Sequence, residues 1–198
     1  MKKTPEQFRR DSVRILLDDV LREEKMILTP KSVDISESID EKLTSVSFSF
    51  LQEQSDLKKL VQIRGIESNG FVDGLFLGLY NNYIDEYSSL RKLKLVDLMV
   101  NPIMRASTIR GSDAQASVIF RLEVEGHGVS EFQHRSRSVI HSSFTTALNA
   151  FQFYVNCERA FCKMRAVVED ATSRNRGDIL QDCMNKLSKL TEVNTYGK

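Results

Sequence analysis

The chain has 198 residues, 41% hydrophobic and 28% charged, with 28 basic and 27 acidic side chains and a net charge of +1. That is enough apolar material for one domain-sized core, and so even a balance gives no global electrostatic case for nucleic acid or an anionic membrane surface. Three cysteines, Cys157, Cys162 and Cys183, lack CxxC spacing, the charged start Met1–Gln7 is no secretory signal, and no window approaches the ~18 unbroken apolar residues of a membrane-spanning helix. These features predict a soluble, cytoplasmic protein with free thiols and neither a membrane nor a nucleic-acid partner.

Thr4-Pro5-Glu6-Gln7 predicts a helix start, with Thr4 as cap, Pro5 at the first helical position and Gln7 completing a capping box. Val13, Leu16, Leu17, Val20 and Leu21 then give one apolar face up to about Lys25, suited first to packing on its own domain, with a partner as the alternative. Thr29-Pro30 reads as the stop. From Lys31 the period changes to two. Val33 and Ile35 form a weak strand, and Val46, Phe48 and Phe50 alternate with Ser45, Ser47 and Ser49 as a half-buried one. Gln52–Asp56 reads as a turn, Leu60–Ile66 as the returning strand, and Glu67-Ser68-Asn69-Gly70 as a second turn. That turn feeds a helix striped by Phe71, Val72, Leu75, Phe76, Leu79, Tyr80, Tyr83, Ile84 and Tyr87.

The order then repeats. A strand runs over Leu93–Val100, a polar connection over Ala106–Gln115, and a strand over Val118, Phe120 and Leu122. Gly126-His127-Gly128 is a hairpin turn, and Val129–Arg137 is the returning strand. A long helix from Ser138 carries Ile140, Phe144, Ala147, Leu148, Phe151, Tyr154 and Val155. Val46 and Val118, and Phe48 and Phe120, are 72 residues apart; Val72 and Ile140, and Phe76 and Phe144, are 68 apart. The shift from 72 to 68 is expected in the hairpin. The predicted architecture is therefore α+β, with internally duplicated βββα units whose helices pack on antiparallel sheets, plus N- and C-terminal helices. Residues 1–28 form the N-terminal amphipathic helix, 29–165 the duplicated domain, and 166–198 a linker and C-terminal helix with a frayed tail from Thr191.

No phosphate loop, dinucleotide fingerprint or nucleophile elbow is present. His127, His134 and His141 fall on a hairpin tip, a strand and a helix first turn, which gives no reason for them to converge on a metal. Asp73 and His141 occupy equivalent first-turn positions, where a helix dipole explains the carboxylate and an acid–base pair is the alternative. Arg105, Arg110, Arg135 and Arg137 make a local basic cluster that reads as solvated surface.

Three ordered blocks carry a resemblance: Asn69-Gly70-Phe71-Val72-Asp73-Gly74, Gly111-Ser112-Asp113-Ala114, and Ser138-Val139-Ile140-His141-Ser142-Ser143 followed by Ala147-Leu148-Asn149. Over roughly residues 33–156 the chain resembles the C-terminal regulatory, dimerising domain of 2-isopropylmalate synthase and its citramalate synthase relatives. Ser68, Phe71 and Gly74 stand where the family turn has Gly, Pro and Ala, and Ser138 where its second helix opens with Asp. The resemblance implies a pseudo-twofold βββα pair that forms a homodimer and binds a feedback amino acid, leucine or isoleucine. Carried over, the ligand contacts are Asn69, Gly70, Val72 and Asp73; Asp113 and Ala114; and Ser138, Val139, Ile140 and Ser142. The family's catalytic barrel and its metal-binding HxH have no counterpart in this sequence. The resemblance therefore implies a non-catalytic module without cofactor or metal, regulating a separate synthase subunit. A ligand-free dimeric scaffold or partner-binding module on the same fold is the other expectation.

Overall fold

The computed structural model describes residues 4–103 and 114–196. In chain order these form α1 (Pro5–Leu21), a 3-10 turn (Arg22–Glu24), β1 (Ile27–Ser38), β2 (Leu43–Gln54), β3 (Leu57–Ser68) and α2 (Phe71–Tyr83). A second 3-10 turn (Ser88–Lys92) leads into β4 (Leu93–Ile103), β5 (Gln115–Val124), β6 (Gly128–Ser136), α3 (Val139–Ser173) and α4 (Gly177–Thr191). The strands make two separate antiparallel meanders, β1-β2-β3 and β4-β5-β6. The fold is α+β, and the βββα unit occurs twice.

The alternation in the middle strands sets the layers. Val46, Phe48 and Phe50 of β2 and Val118, Phe120 and Leu122 of β5 are all buried, because one face of each strand is turned to the helices. The serines between them on β2 face outward, where Ser49 and Ser32 share a hydroxyl–hydroxyl bond of 2.7 Å. The duplication extends to irregularities that the sequence does not display. Register slips by one residue between Pro30 and Ser32 in β1 and between Leu95 and Asp97 in β4. Pro30 pairs with Phe50 and Leu95 with Leu122, themselves equivalent positions. Both first strands therefore carry the same bulge, at Lys31 and Val96.

The change of offset from 72 to 68 does not fall wholly in the hairpin. One residue is absorbed in β3, where register slips opposite Val46 and Phe48. Gly65 sits in that bulge with φ +63, a conformation that favours glycine, and its N–H donates to Ser47 Oγ at 2.9 Å. The turn itself is shorter than the polar run Gln52–Asp56 suggests. β2 continues to Gln54 and β3 starts at Leu57, since exposed polar side chains suit a solvated sheet face as well as a loop.

α1 begins as its sequence predicts: Gln7 N–H donates to Thr4 Oγ1 at 3.3 Å, and the Gln7 side chain accepts from Thr4 N–H at 3.1 Å. Its five apolar residues are buried in the one hydrophobic core, packed on α3, β6 and α4. The helix stops at Leu21, well before Thr29-Pro30. Pro30 instead lies within β1 beside the bulge, on an edge strand that tolerates a missing N–H.

α3 is the longest element, at 35 residues. From Ser142 to Glu158 it is buried nearly all round, including the polar Asn156 and Glu158. Each of those has partners, as burial demands. Asn156 accepts from Met26 N–H (2.9 Å) and donates to Met26 C=O (2.8 Å), while Gln152 accepts from Leu28 N–H (2.8 Å). Two amide side chains thus continue the hydrogen bonding of the β1 edge. Glu158 accepts from Ser89 N–H at 3.0 Å and fixes the second 3-10 turn.

Through Tyr196 the tail is not frayed. Val193 and Asn194 are buried, Asn194 donates to Ser89 Oγ at 3.0 Å, and Tyr196 stacks on Phe161 with centroids 4.1 Å apart. Tail composition alone carries no sign of the surface that α3 and the second 3-10 turn present to it.

Candidate functional site

The two helix starts are built alike. Ser68 ends β3 and Ser136 ends β6, 68 residues apart. The Ser68 hydroxyl donates to Gly70 C=O at 2.9 Å, and the Ser136 hydroxyl to Ser138 C=O at 2.7 Å. Each serine closes the two-residue turn that aims the following helix. Ser68 belongs to the predicted turn, but neither serine is among the ligand contacts expected from the sequence, although their spacing equals that of the flanking stripe.

Beyond the turn the starts differ. Ser138 caps α3, its hydroxyl accepting from His141 N–H at 3.2 Å. Gly70 stands at the head of α2, where no side chain caps the helix. Asp73 Oδ2 accepts from Asn69 N–H at 3.4 Å, outside the helix proper. The first N–H groups of α2 and the positive end of its dipole therefore carry no side-chain cap and remain available to an anion, with the Asp73 carboxylate in the same first turn.

The expected ligand residues fall into two places. Val72 and Asp73 line a groove of about 550 Å³ between α2 and β4, floored by Phe76, Leu95, Leu98 and Phe151 and bounded by Leu77, Tyr80, Leu93 and Lys94. Ser138 and Ile140 line a smaller notch of about 250 Å³ between α3 and β1, with Pro30, Lys31, Ser32, Val33, His141 and Phe144. Asn69 and Gly70 lie at the α2 start, the first of them exposed. Val139 is also exposed, whereas Ser142 is fully buried and bonded to Ser136 Oγ at 2.8 Å, which removes it from ligand reach. Ala114 directly precedes β5; Asp113, with Arg105 and Arg110 of the basic cluster, lies outside the described residues.

The helix starts are held apart because each is turned toward the first strand of the opposite unit, α2 toward β4 and α3 toward β1. For the same reason Asp73 and His141 line different grooves and do not form an acid–base pair. The groove floor on β4 was not legible as a site. Leu93, Leu95 and Leu98 read only as part of an apolar strand, and the bulge at Val96 brings Leu98 back to the helix-facing side with Leu95.

The histidines divide otherwise than their elements suggest. His127 bonds Thr195 Oγ1 at 2.6 Å, while His134 and His141 do meet, edge to face with centroids 5.3 Å apart. Among the described residues no group of three or more His, Cys, Asp or Glu side chains could hold a metal ion. No helix of the described residues is long and apolar enough to cross a membrane. The described cysteines are free, Cys157 and Cys183 buried and Cys162 exposed, and burial raises the Cys157 thiol far above its usual range.

No family model matches the chain, and no curated protein matches it.

Proposed function

We propose that this chain is a non-catalytic regulatory domain that holds a branched-chain amino acid, leucine or isoleucine, in the groove between α2 and β4. The observation that carries the reading is the combination at the α2 start: an uncapped helix N-terminus, the Asp73 carboxylate, and an apolar groove floored by Phe76, Leu95, Leu98 and Phe151. Helix N–H groups suit an α-carboxylate, Asp73 suits an α-ammonium, and the floor suits an aliphatic side chain. The resemblance to the regulatory domain of 2-isopropylmalate synthase supports the same ligand class. In this reading the module works in a reducing cytosol, needs no cofactor, and acts on a separate synthase chain.

Calorimetric titration with leucine, isoleucine and valine tests it. Saturable heat, lost in Asp73→Ala, is expected; no heat and no thermal shift at millimolar ligand would end the reading.

A ligand-free dimeric scaffold is the second reading, favoured by one observation. Leu77 and Leu98 of the groove and Val100 further along β4 are 40%, 42% and 45% exposed, large apolar side chains of the kind that partners cover. Sedimentation showing a dimer that takes up no amino acid would select it.

A further inference from the structure

We propose that His134 and His141 form an acid-released clasp between β6 and the first turn of α3. His134 pairs with the buried Val118 in register, so its side chain stands on the helix-facing side of the sheet. There it meets His141, with the rings 5.3 Å apart and inclined at 60°. His134 Nδ1 is shut off from solvent and has no hydrogen-bond partner. In the neutral imidazole that atom can stand as an unused acceptor. In the imidazolium it becomes a charged donor with nothing to receive its proton.

Among the described residues, the charged groups placed around the pair are mainly cationic. On β6 itself Arg135 adjoins His134, and Arg137 follows the strand. Glu131 lies on the opposite face of the sheet, held by Arg121 at 2.7 Å. From α1, Arg10 lies over Phe132, the preceding inward residue of β6. From β1, Lys31 lines the notch that His141 also lines. From α3 the titratable neighbour is His141, while Ser142 is engaged by Ser136. Burial first, and His141 second, depress the proton affinity of His134. A folded-state value below the ordinary histidine value near ~6.5 means that the open form binds more protons as pH falls through that window. The clasp is therefore fully stabilising above about pH 6.5 and is lost as pH falls through the folded value. Its release frees the α3 turn that carries Ser138 and Ile140 of the notch, and Phe144 with it.

The equivalent position in the first unit holds Ile66, paired with Val46 as His134 is with Val118, so His134→Ile is the natural non-titrating control. The test is histidine proton NMR and thermal unfolding of the full chain between pH 7.5 and 5. His134 is expected to titrate below pH 6.5 and to move upward in His141→Gln. The wild type is expected to lose more melting temperature across this range than His134→Ile. Exchange protection of the His141 and Ser142 amides should fall within the titration, by at most about tenfold per pH unit. A His134 titration at or above pH 6.5, or one unmoved in His141→Gln, overturns the clasp whether or not His134→Ile folds. So does a pH profile that His134→Ile leaves unchanged.

Discussion

Phe48 of β2 packs edge-on against Phe144 of α3, with ring centroids 5.3 Å apart. Phe76 of α2 packs on Phe120 of β5 at 5.5 Å, and these are the same two positions with the units exchanged. Each unit therefore lends its helix phenylalanine to the middle strand of the other. Phe76 also meets Phe151 of α3 at 5.5 Å, which closes the joint between the two helices. Residues of both units belong to one hydrophobic cluster.

Reciprocal packing predicts that the halves unfold together. Phe144→Ala removes a buried ring from the joint and should destabilise the chain by about 3–5 kcal/mol, and Phe76→Ala, which removes a half-buried ring, should cost less. Urea unfolding followed by circular dichroism and by tyrosine fluorescence should retain one coincident transition in both variants. Two separated transitions would show that the joint is not cooperative.

Close approach of α2 to its own sheet rests on absent side chains. A Cβ at Gly78 would lie 2.8 Å from Phe48 Cζ, and one at Gly74 2.7 Å from Val46 Cγ2. Gly78→Ala gains about 1 kcal/mol in helix propensity but forces a packed ring to move, which typically costs about 1–3 kcal/mol. Net destabilisation in equilibrium unfolding is the expected result. At the equivalent places in α3, Ser142 and Thr146 are accommodated and fully buried, so the demand for a missing side chain is particular to α2.

Edge satisfaction by α3 gives a third expectation. Asn156→Ala leaves the Met26 N–H and C=O without partners in a buried setting, a loss of about 1–3 kcal/mol for each group left bare. Hydrogen exchange at the Met26 amide should accelerate beyond what the global change in stability explains.

A chain ending at Glu192 loses the Tyr196–Phe161 stack and the Asn194–Ser89 bond. Scanning calorimetry should show a fall of roughly 2–4 °C for each kcal/mol these contacts contribute. An unchanged melting temperature would mean that the tail rests on α3 without supporting it.

Much of the fold was legible because it depends on periodicity. Val46-Phe48-Phe50 and Val118-Phe120-Leu122 alternate cleanly, the helix stripes recur at a fixed offset, and Thr4-Pro5-Glu6-Gln7 caps as its chemistry requires. What stayed hidden depends on contacts between distant residues. No local pattern tells that Phe76 and Phe144 cross to the opposite unit, that Asn156 continues the β1 edge, or that Tyr196 finds Phe161. The helix starts could be located from Asn69-Gly70 and Ser138, but not the strand each would face. Hence the expected contacts Val72 and Ile140 stand in two grooves, and Ser142, small and polar in sequence, is consumed by Ser136.

The most direct test of the ligand assignment is amide and methyl chemical-shift mapping as leucine is added to the full chain. The account predicts saturable shifts at the Phe71, Val72 and Asp73 amides and the Leu95 and Leu98 methyls, with the α3 start at Ser138–Ile140 largely unmoved. Shifts confined to the α3 notch, or none at millimolar leucine and isoleucine, would contradict it.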